Sequence, residues 1–195
     1  LFMLGMNQRF AEGPQRIKAL VEQGYFGEIY ATKAYWRRRS GIPRLGTWFG
    51  NKAKAGGGCM LDIGVHMLDL ALWTLGNFDV ESVNGRVFTK FGNRGMGEGG
   101  WGLSERQGIE FDVDDYATAF LRLKGGAVLN LDISWAAHQK ASDTHNVEIC
   151  GTEAGASLYP GEIFAHDRVA NAPYDIANPR VAIKYPHCDR FVNFV

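Results

Sequence analysis

The chain has little cysteine, no surplus of either charge and no long apolar run. Its three cysteines, Cys59, Cys150 and Cys188, are far apart and form no Cys-x-x-Cys. That excludes a zinc knuckle and a disulfide framework, and reduced thiols in a cytoplasmic protein are the expectation. Lys plus Arg and Asp plus Glu each number 21, so the formal net charge is zero. A balanced chain offers no large basic field for nucleic acid or for an anionic membrane. No apolar run approaches the roughly 20 residues of a membrane-spanning helix. The opening "LFMLGMNQRF" lacks a basic leader and a small-residue cleavage site, so no signal peptide is read. No Gly-x-Ser-x-Gly elbow occurs, which removes one common nucleophile arrangement. The glycine-rich "GNRGMGEGGWG" lacks the strand–Gly-x-Gly-x-x-Gly–helix context of a phosphate cradle and reads as a flexible loop or hairpin tip.

What is present is an ordinary globular composition: 195 residues, 46% hydrophobic and 22% charged. One large domain or two small ones can bury a core at this length. The chain opens on Leu1 within a strand-like run, "LFMLGM", and closes on the amphipathic "CDRFVNFV". Both ends read as cut through secondary structure, so the chain is expected to be part of a longer protein.

Between those ends, "EGPQRIKALVEQG" predicts a helix, with Pro14 in the first turn, a stripe of Ile17, Leu20 and Val21, and Gly24 at its end. "GEIYATKAYWRRR" predicts a strand, and "SGIPRLGTWFGNKAKAGGG" a loop. A second helix follows and stops near Gly76. Strands dominate thereafter, the clearest being the hairpin "DYATAFLRLKGGAVLNLDISWAA", turning at Lys124, Gly125 and Gly126. The sum predicts an α+β fold: a mostly antiparallel open sheet with helices on one face. Apolar groups on both parities of the hairpin, among them Val128, Leu129, Leu131, Ile133 and Trp135, point either to a self-association face or to a sheet covered by another element.

The segment "GGGCMLDIGVHMLDLALWTLG", residues 56–76, carries the chemistry. At about 100° per residue, His66 lies roughly 40° from Asp62, and Asp69 roughly 20° away on the other side. Leucines, valine, isoleucine and methionine fill both flanks, so the helix is buried nearly all round. A polar stripe on such a helix must pair internally or face a cleft, because an unpaired buried carboxylate is very costly. A single His on an apolar helix is commonly a satisfied core residue, and Asp62 alone would be served by the helix dipole. Gly56, Gly57 and Gly58 beside the stripe allow close approach of a ligand or of another backbone, which tips the reading toward function. The spacings are loose for a metal, with no Glu or second His nearby, and no metal is expected. Upstream, Arg37, Arg38, Arg39, Arg44, Trp36 and Trp48 read singly as a solvated basic strand end. As a set beside the glycines they suit a hydroxyl-rich or anionic small molecule.

These residues together resemble one family. Gly56-Gly57-Gly58, Asp62-x-Gly64-x-His66-x-x-Asp69 and Gly76 are similar to the signature of the glucose–fructose oxidoreductase, inositol dehydrogenase and MocA family (Gfo/Idh/MocA). "NQRF", "EQGYFGEIY", "FDVDDYATAFLRLKGGAVLNLDISW" and "EICGTEAGASLY" add matches on both sides. The resemblance implies a two-domain NAD(P)-dependent oxidoreductase, of which this chain is the second domain, similar in fold to the C-terminal domain of glyceraldehyde-3-phosphate dehydrogenase. Residues 1–10 would be the last strand of a dinucleotide-binding Rossmann domain absent from the chain. Residues 11–195 would be the substrate-binding and oligomerisation domain, short of its final helix. The family's nucleotide-binding glycines and its Glu-Lys-Pro motif do not occur here, so the isolated chain is expected to be inactive.

By the same resemblance His66 would be the general acid/base, suited to it by an imidazole titrating near neutral pH, and Asp62 would orient or charge-stabilise it. Arg38, Arg44, Trp48 and Asp69 would contact a sugar or polyol. Asn7, Arg9, Gly57 and Gly58 would lie toward the cofactor, NAD or NADP. Homodimers or homotetramers would form through the sheet face. A non-catalytic oligomerisation or sugar-binding module lacking its own cofactor site is the alternative.

Overall fold

A computed structural model describes the chain except for residues 1, 3, 101–109, 188 and 195. Part of the expected first strand and the outer part of the glycine loop lie outside the described residues, as does Cys188; Cys59 and Cys150 are unpaired. The described part of "LFMLGM" forms no strand: Phe2 is 89% and Leu4 64% exposed, and a 3-10 turn, Asn7–Phe10, follows. Sheet partners for this segment do not exist among the described residues.

Helix α1 (Glu12–Glu22) forms where the apolar stripe predicts it, burying Ile17 and Leu20, and Gly24 at φ 73° turns the chain out of it. Strand β1 is Ile29–Arg38. The loop that follows contains a 3-10 turn, Trp48–Gly50, and a single helical turn, α2 (Lys52–Ala55). The second long helix has two parts: a π turn, Met60–Gly64, and then α3 (Val65–Leu75), closed by Gly76 at φ 68°. One helical run, Lys52–Leu75, is long and apolar enough to cross a membrane by length and composition, where the sequence predicted none. Half of its most apolar window is buried inside the domain.

Strands β2 (Val80–Phe88), β3 (Tyr116–Leu123), β4 (Val128–Ser134), β5 (Asp143–Gly151), β6 (Ala154–Ser157), β7 (Glu162–Asp167) and β8 (Ala172–Ala177) complete the sheet, and a short α4 (Arg190–Phe194) ends the described chain. The eight strands run in the order β2-β3-β4-β1-β5-β6-β7-β8. All neighbours are antiparallel except β1 and β4, which are parallel. This is the mostly antiparallel open sheet expected. Helix α3 packs on β1, β4 and β5, and α1 packs on α3. The core lies between α3 and the sheet, with Met67, Leu70, Ile133, Leu129 and Val147 fully buried.

The hairpin corrects one expectation. Leu129, Leu131 and Ile133 are buried at 0%, 3% and 0%, and only Val128 of the apolar set has the opposite parity. The outward positions of β4 are Val128, Asn130 and Asp132, so that strand is not apolar on both faces. The described end of the glycine loop is also held. The Gly41 and Ile42 N–H groups donate to the Gly97 carbonyl, and the Gly99 N–H donates to that of Ile42.

Candidate active site

The helix of residues 60–75 begins where Asp114 holds it. The Asp114 carboxylate accepts from the N–H groups of Gly58 (2.8 Å) and Met60 (2.9 Å) and from the Cys59 thiol (3.2 Å), while its carbonyl accepts from the Cys59 N–H (2.8 Å). An N-terminal acceptor of this kind satisfies amides that the helix leaves without partners. A Cβ at Gly58 would stand 1.9 Å from the Asp114 carbonyl oxygen. Gly58 is therefore required by the close approach of the segment just ahead of β3. A Cβ at Gly57 would meet only the Leu61 side chain (2.9 Å) and the edge of the Asp114 carboxylate. Burial and the neighbouring acids push the Cys59 thiol far up, so it is an inert packing group.

The next residue, Asp115, is fully buried. Its carboxylate accepts from the N–H groups of Lys90, Phe91 and Gly92. Neither acid was singled out in the sequence. The signal available was "DVDD" directly ahead of a strand, two acids at the level of the glycine run.

The π turn changes the geometry of the polar stripe. A π turn closes i to i+5, so a uniform 100° per residue does not hold between Asp62 and His66. The three side chains do not pair with one another; each has its own environment. Asp62 Oδ2 accepts from the Nε1–H of Trp135 at 2.8 Å, and Trp135 is fully buried at the end of β4. The sequence places Trp135 only on a sheet face that self-associates or is covered by another element, not beside Asp62. A buried indole N–H usually finds an acceptor, which was the available clue. Asp69 accepts from Arg9 through Nε and one terminal guanidinium nitrogen, Nη2, the Nε bond being 2.7 Å. Arg9 in turn lies 6.0 Å from the rings of Trp73 and Phe78.

His66 is partly buried, and its Nδ1 is buried with no hydrogen-bond partner among the described residues. Burial pulls its pKa down. Asp62 and Asp69 oppose that shift, and the Arg190 cation adds to it. The net result is an imidazole held neutral beside two carboxylates. No hydrogen bond joins it to Asp62, so the acid acts on it through its field.

The remaining candidates fall on two sides. Trp48, 53% exposed, stacks on Phe49 with ring centroids 4.1 Å apart. It lines a cleft of about 230 Å³ with Gly57, Gly58, Leu61, Asp62 and Trp135. Arg44 is exposed in the same loop with φ 39°. Arg38 lies elsewhere, at the end of β1, donating to Asp143 at 3.1 Å and lying 4.9 Å from the Trp36 ring. Asn7 sits on the 3-10 turn, and its side chain makes no hydrogen bond among the described residues. Arg9, by contrast, is committed to Asp69. Those same residues contain no group of three or more His, Cys, Asp or Glu that could hold a metal ion.

Residues 15–157 match the GFO/IDH/MocA C-terminal domain. The chain belongs to the Gfo/Idh/MocA family. Among curated relatives, it is 38% identical over 159 residues to D-glucoside 3-dehydrogenase of Escherichia coli (strain K12), covering 81% of this chain and 44% of the relative. It is 36% identical over 158 residues to the putative UDP-kanosamine synthase oxidoreductase subunit of Amycolatopsis mediterranei (strain S699), covering 81% and 43%. The chain thus spans less than half the length of either. Its fold is similar to that of levoglucosan dehydrogenase solved with NADH and levoglucosan, with a TM-score of 0.70 and 22% identity over 91% of this chain and 47% of that one. In the Gfo/Idh/MocA signature as it stands here, Asp62, His66 and Asp69 sit on one helix that Asp114 anchors and Trp135 orients.

Proposed function

We propose that the protein containing this chain is an oxidoreductase that transfers a hydride between NAD or NADP and a sugar, polyol or related secondary alcohol. The observation that carries this reading is His66: a neutral, partly buried imidazole with an orphaned ring nitrogen, set between two carboxylates on the family's signature helix. Support comes from the relatives, one a D-glucoside 3-dehydrogenase and one a dehydrogenase solved with NADH and levoglucosan. A bound nicotinamide would supply the hydride acceptor or donor. The residues present fit the alcohol half of such a reaction, and on the nicotinamide side Asn7 offers an amide free of other hydrogen bonds.

In this reading His66 takes the hydroxyl proton as the carbinol carbon is oxidised, and returns it in the reverse direction. The Asp62 field stabilises the imidazolium that forms, and the Trp135 bond keeps that carboxylate from swinging away. Asp69 and Arg9 neutralise each other and hold the 3-10 turn against α3. Trp48 lines the cleft at Asp62, Arg44 is exposed in the same loop as Trp48, and Arg38 sits at the end of β1, so they would contact different parts of a substrate. Residues 1–10 would continue into the dinucleotide-binding domain, and the sheet face would join copies of the protein.

The test uses the full-length protein with NAD and NADP, following nicotinamide absorbance across a panel of glucosides, free pyranoses and polyols. Wild type is expected to turn over at least one of them. His66→Ala is expected to lose about 100-fold or more in kcat, the scale of general acid–base catalysis. Turnover unaffected by that substitution would remove His66 from the role, and no turnover on any alcohol would overturn the reading.

A further inference from the structure

A second imidazole faces the same end of the sheet and has no role in the scheme above. Register places Ile133 of β4, Trp36 of β1 and His145 of β5 in one cross-strand row on the helix side. The catalytic helix covers the first of them: a Cβ at Gly64 would lie 3.3 Å from Ile133 Cγ1. Ile133 is fully buried, whereas Trp36 and His145 are only partly so. The row therefore emerges from under the helix that carries His66.

The emerging side chains form a continuous aromatic strip. The Trp36 and His145 rings lie 5.0 Å apart, tilted by 34°, and His145 meets the Tyr159 ring edge-on at 5.0 Å. Trp36 is locked in place, its Nε1–H donating to Asp143 at 2.9 Å. Tyr159 is locked too, its hydroxyl donating to the buried Gln8 at 2.6 Å. Gln8 stands between Asn7 and Arg9, so the strip runs from β1 to the turn on the nicotinamide side. His145 alone among these rings is uncommitted, with no hydrogen bond at either nitrogen among the described residues. Burial lowers its pKa, Asp143 opposes that shift, and the Arg190 and Arg38 charges add to it.

Pyranoses offer an apolar C–H face and an edge of hydroxyls. Aromatic planes take the first, and a neutral imidazole, donor at one nitrogen and acceptor at the other, takes the second. We propose that the Trp36–His145–Tyr159 strip is a sugar-selecting surface beside the helix that carries His66, with His145 a specificity-determining residue that hydrogen-bonds one hydroxyl of a pyranose lying against it. This rests on the sugar oxidoreductase reading above and adds the residue that chooses among sugars.

The experiment uses the full-length protein, wild type and the variants His145→Ala and His145→Asn, with D-glucose and its 2-, 3-, 4- and 6-deoxy analogues. Saturation-transfer NMR reads binding and nicotinamide absorbance reads turnover. Wild type is expected to bind glucose and to discriminate against one deoxy analogue by about 10-fold or more, since a site built to hydrogen-bond a hydroxyl rejects the sugar lacking it. His145→Ala is expected to weaken glucose binding to the level of that analogue and to erase the discrimination, while His145→Asn keeps part of it. No binding of any sugar by wild type, or discrimination unchanged in His145→Ala, overturns the proposal. If wild type binds and discriminates but turns nothing over, the oxidoreductase reading fails, and the binding data alone decide the role of the strip.

Discussion

At Gly58 the chain has no room for a methyl group. The position where Cβ would sit is 1.9 Å from the Asp114 carbonyl oxygen and 2.9 Å from its amide nitrogen. Backbone cannot move aside as a side chain can, so Gly58→Ala is expected to destabilise the domain by about 3 kcal/mol or more, as severe overpacking does. Gly57→Ala meets the flexible end of Leu61 and is expected to cost less than about 1 kcal/mol. Urea unfolding of the two variants separates a fold-critical glycine from a permissive one, and equal costs would contradict the geometry. The imidazoles make a second residue-level prediction. His66 and His145 both have pKa values lowered by burial, whereas in the unfolded chain they titrate near 6.5. Below that pH the unfolded state binds more protons than the folded one, so stability rises with pH through this window and levels off above it. Unfolding midpoints are expected to fall between pH 7 and pH 5, and to fall less when both are replaced by Gln. An unchanged pH dependence in that double variant would show that other groups carry it.

The helix that bears the signature is one element built from two geometries, and the π turn at its start is where Asp62 is aimed. Trp135→Phe keeps the ring buried but removes the only hydrogen bond to the Asp62 carboxylate among the described residues. A lost bond to a charged group costs about 1.5–3 kcal/mol. In the full-length protein the same change is expected to lower kcat more than it raises KM, because Asp62 acts on His66 in the proton-transfer step. A loss confined to KM would make Trp135 a substrate contact instead. This element also shows what the sequence could and could not tell. Helix α1, β1 and the β3–β4 hairpin were legible because burial on one face leaves a period of 3.6 or 2 in the residues themselves. The placement of Asp62, His66 and Asp69 on one helical run was legible from their spacing, but their partners were not. The π turn and the separate pairings of Asp62 and Asp69 depend on Asp114, Ile133, Trp135 and Arg9, which lie far along the chain and leave no periodic trace. The described part of "LFMLGM" forms no strand in this chain: an apolar run records a capacity for burial, and Phe2 and Leu4 have no partner here to be buried against.

On the scale of the molecule, the eight-stranded sheet has helices on one side, while its other side is a mixture of polar pairs and exposed rings. Tyr35 donates to Glu148 across β1 and β5, Arg37 pairs with Asp132 across β1 and β4 at 3.6 Å, and Phe120 of β3 stands 41% exposed beside them. Burial and then Asp132 push the Tyr116 hydroxyl up to about 12, so it stays a neutral donor on that face. Such a composition, an exposed ring among paired polar groups of which Arg37 Nε and Asp132 Oδ1 still lack partners among the described residues, suits an isologous contact better than a purely apolar face would. If copies of the protein join here, two-fold symmetry brings each face against its own counterpart, and a charge placed at Phe120 is paired with itself or with the Arg37 guanidinium. Phe120→Arg in the full-length protein is therefore expected to shift sedimentation from oligomer toward monomer. Val83 provides the control: it is 61% exposed, but register with the buried Leu121 puts it on the helix side of the edge strand β2. Val83→Arg is expected to leave the oligomer intact. An oligomer indifferent to Phe120→Arg but broken by Val83→Arg would move the interface from the open sheet face to the uncovered edge beside the helices.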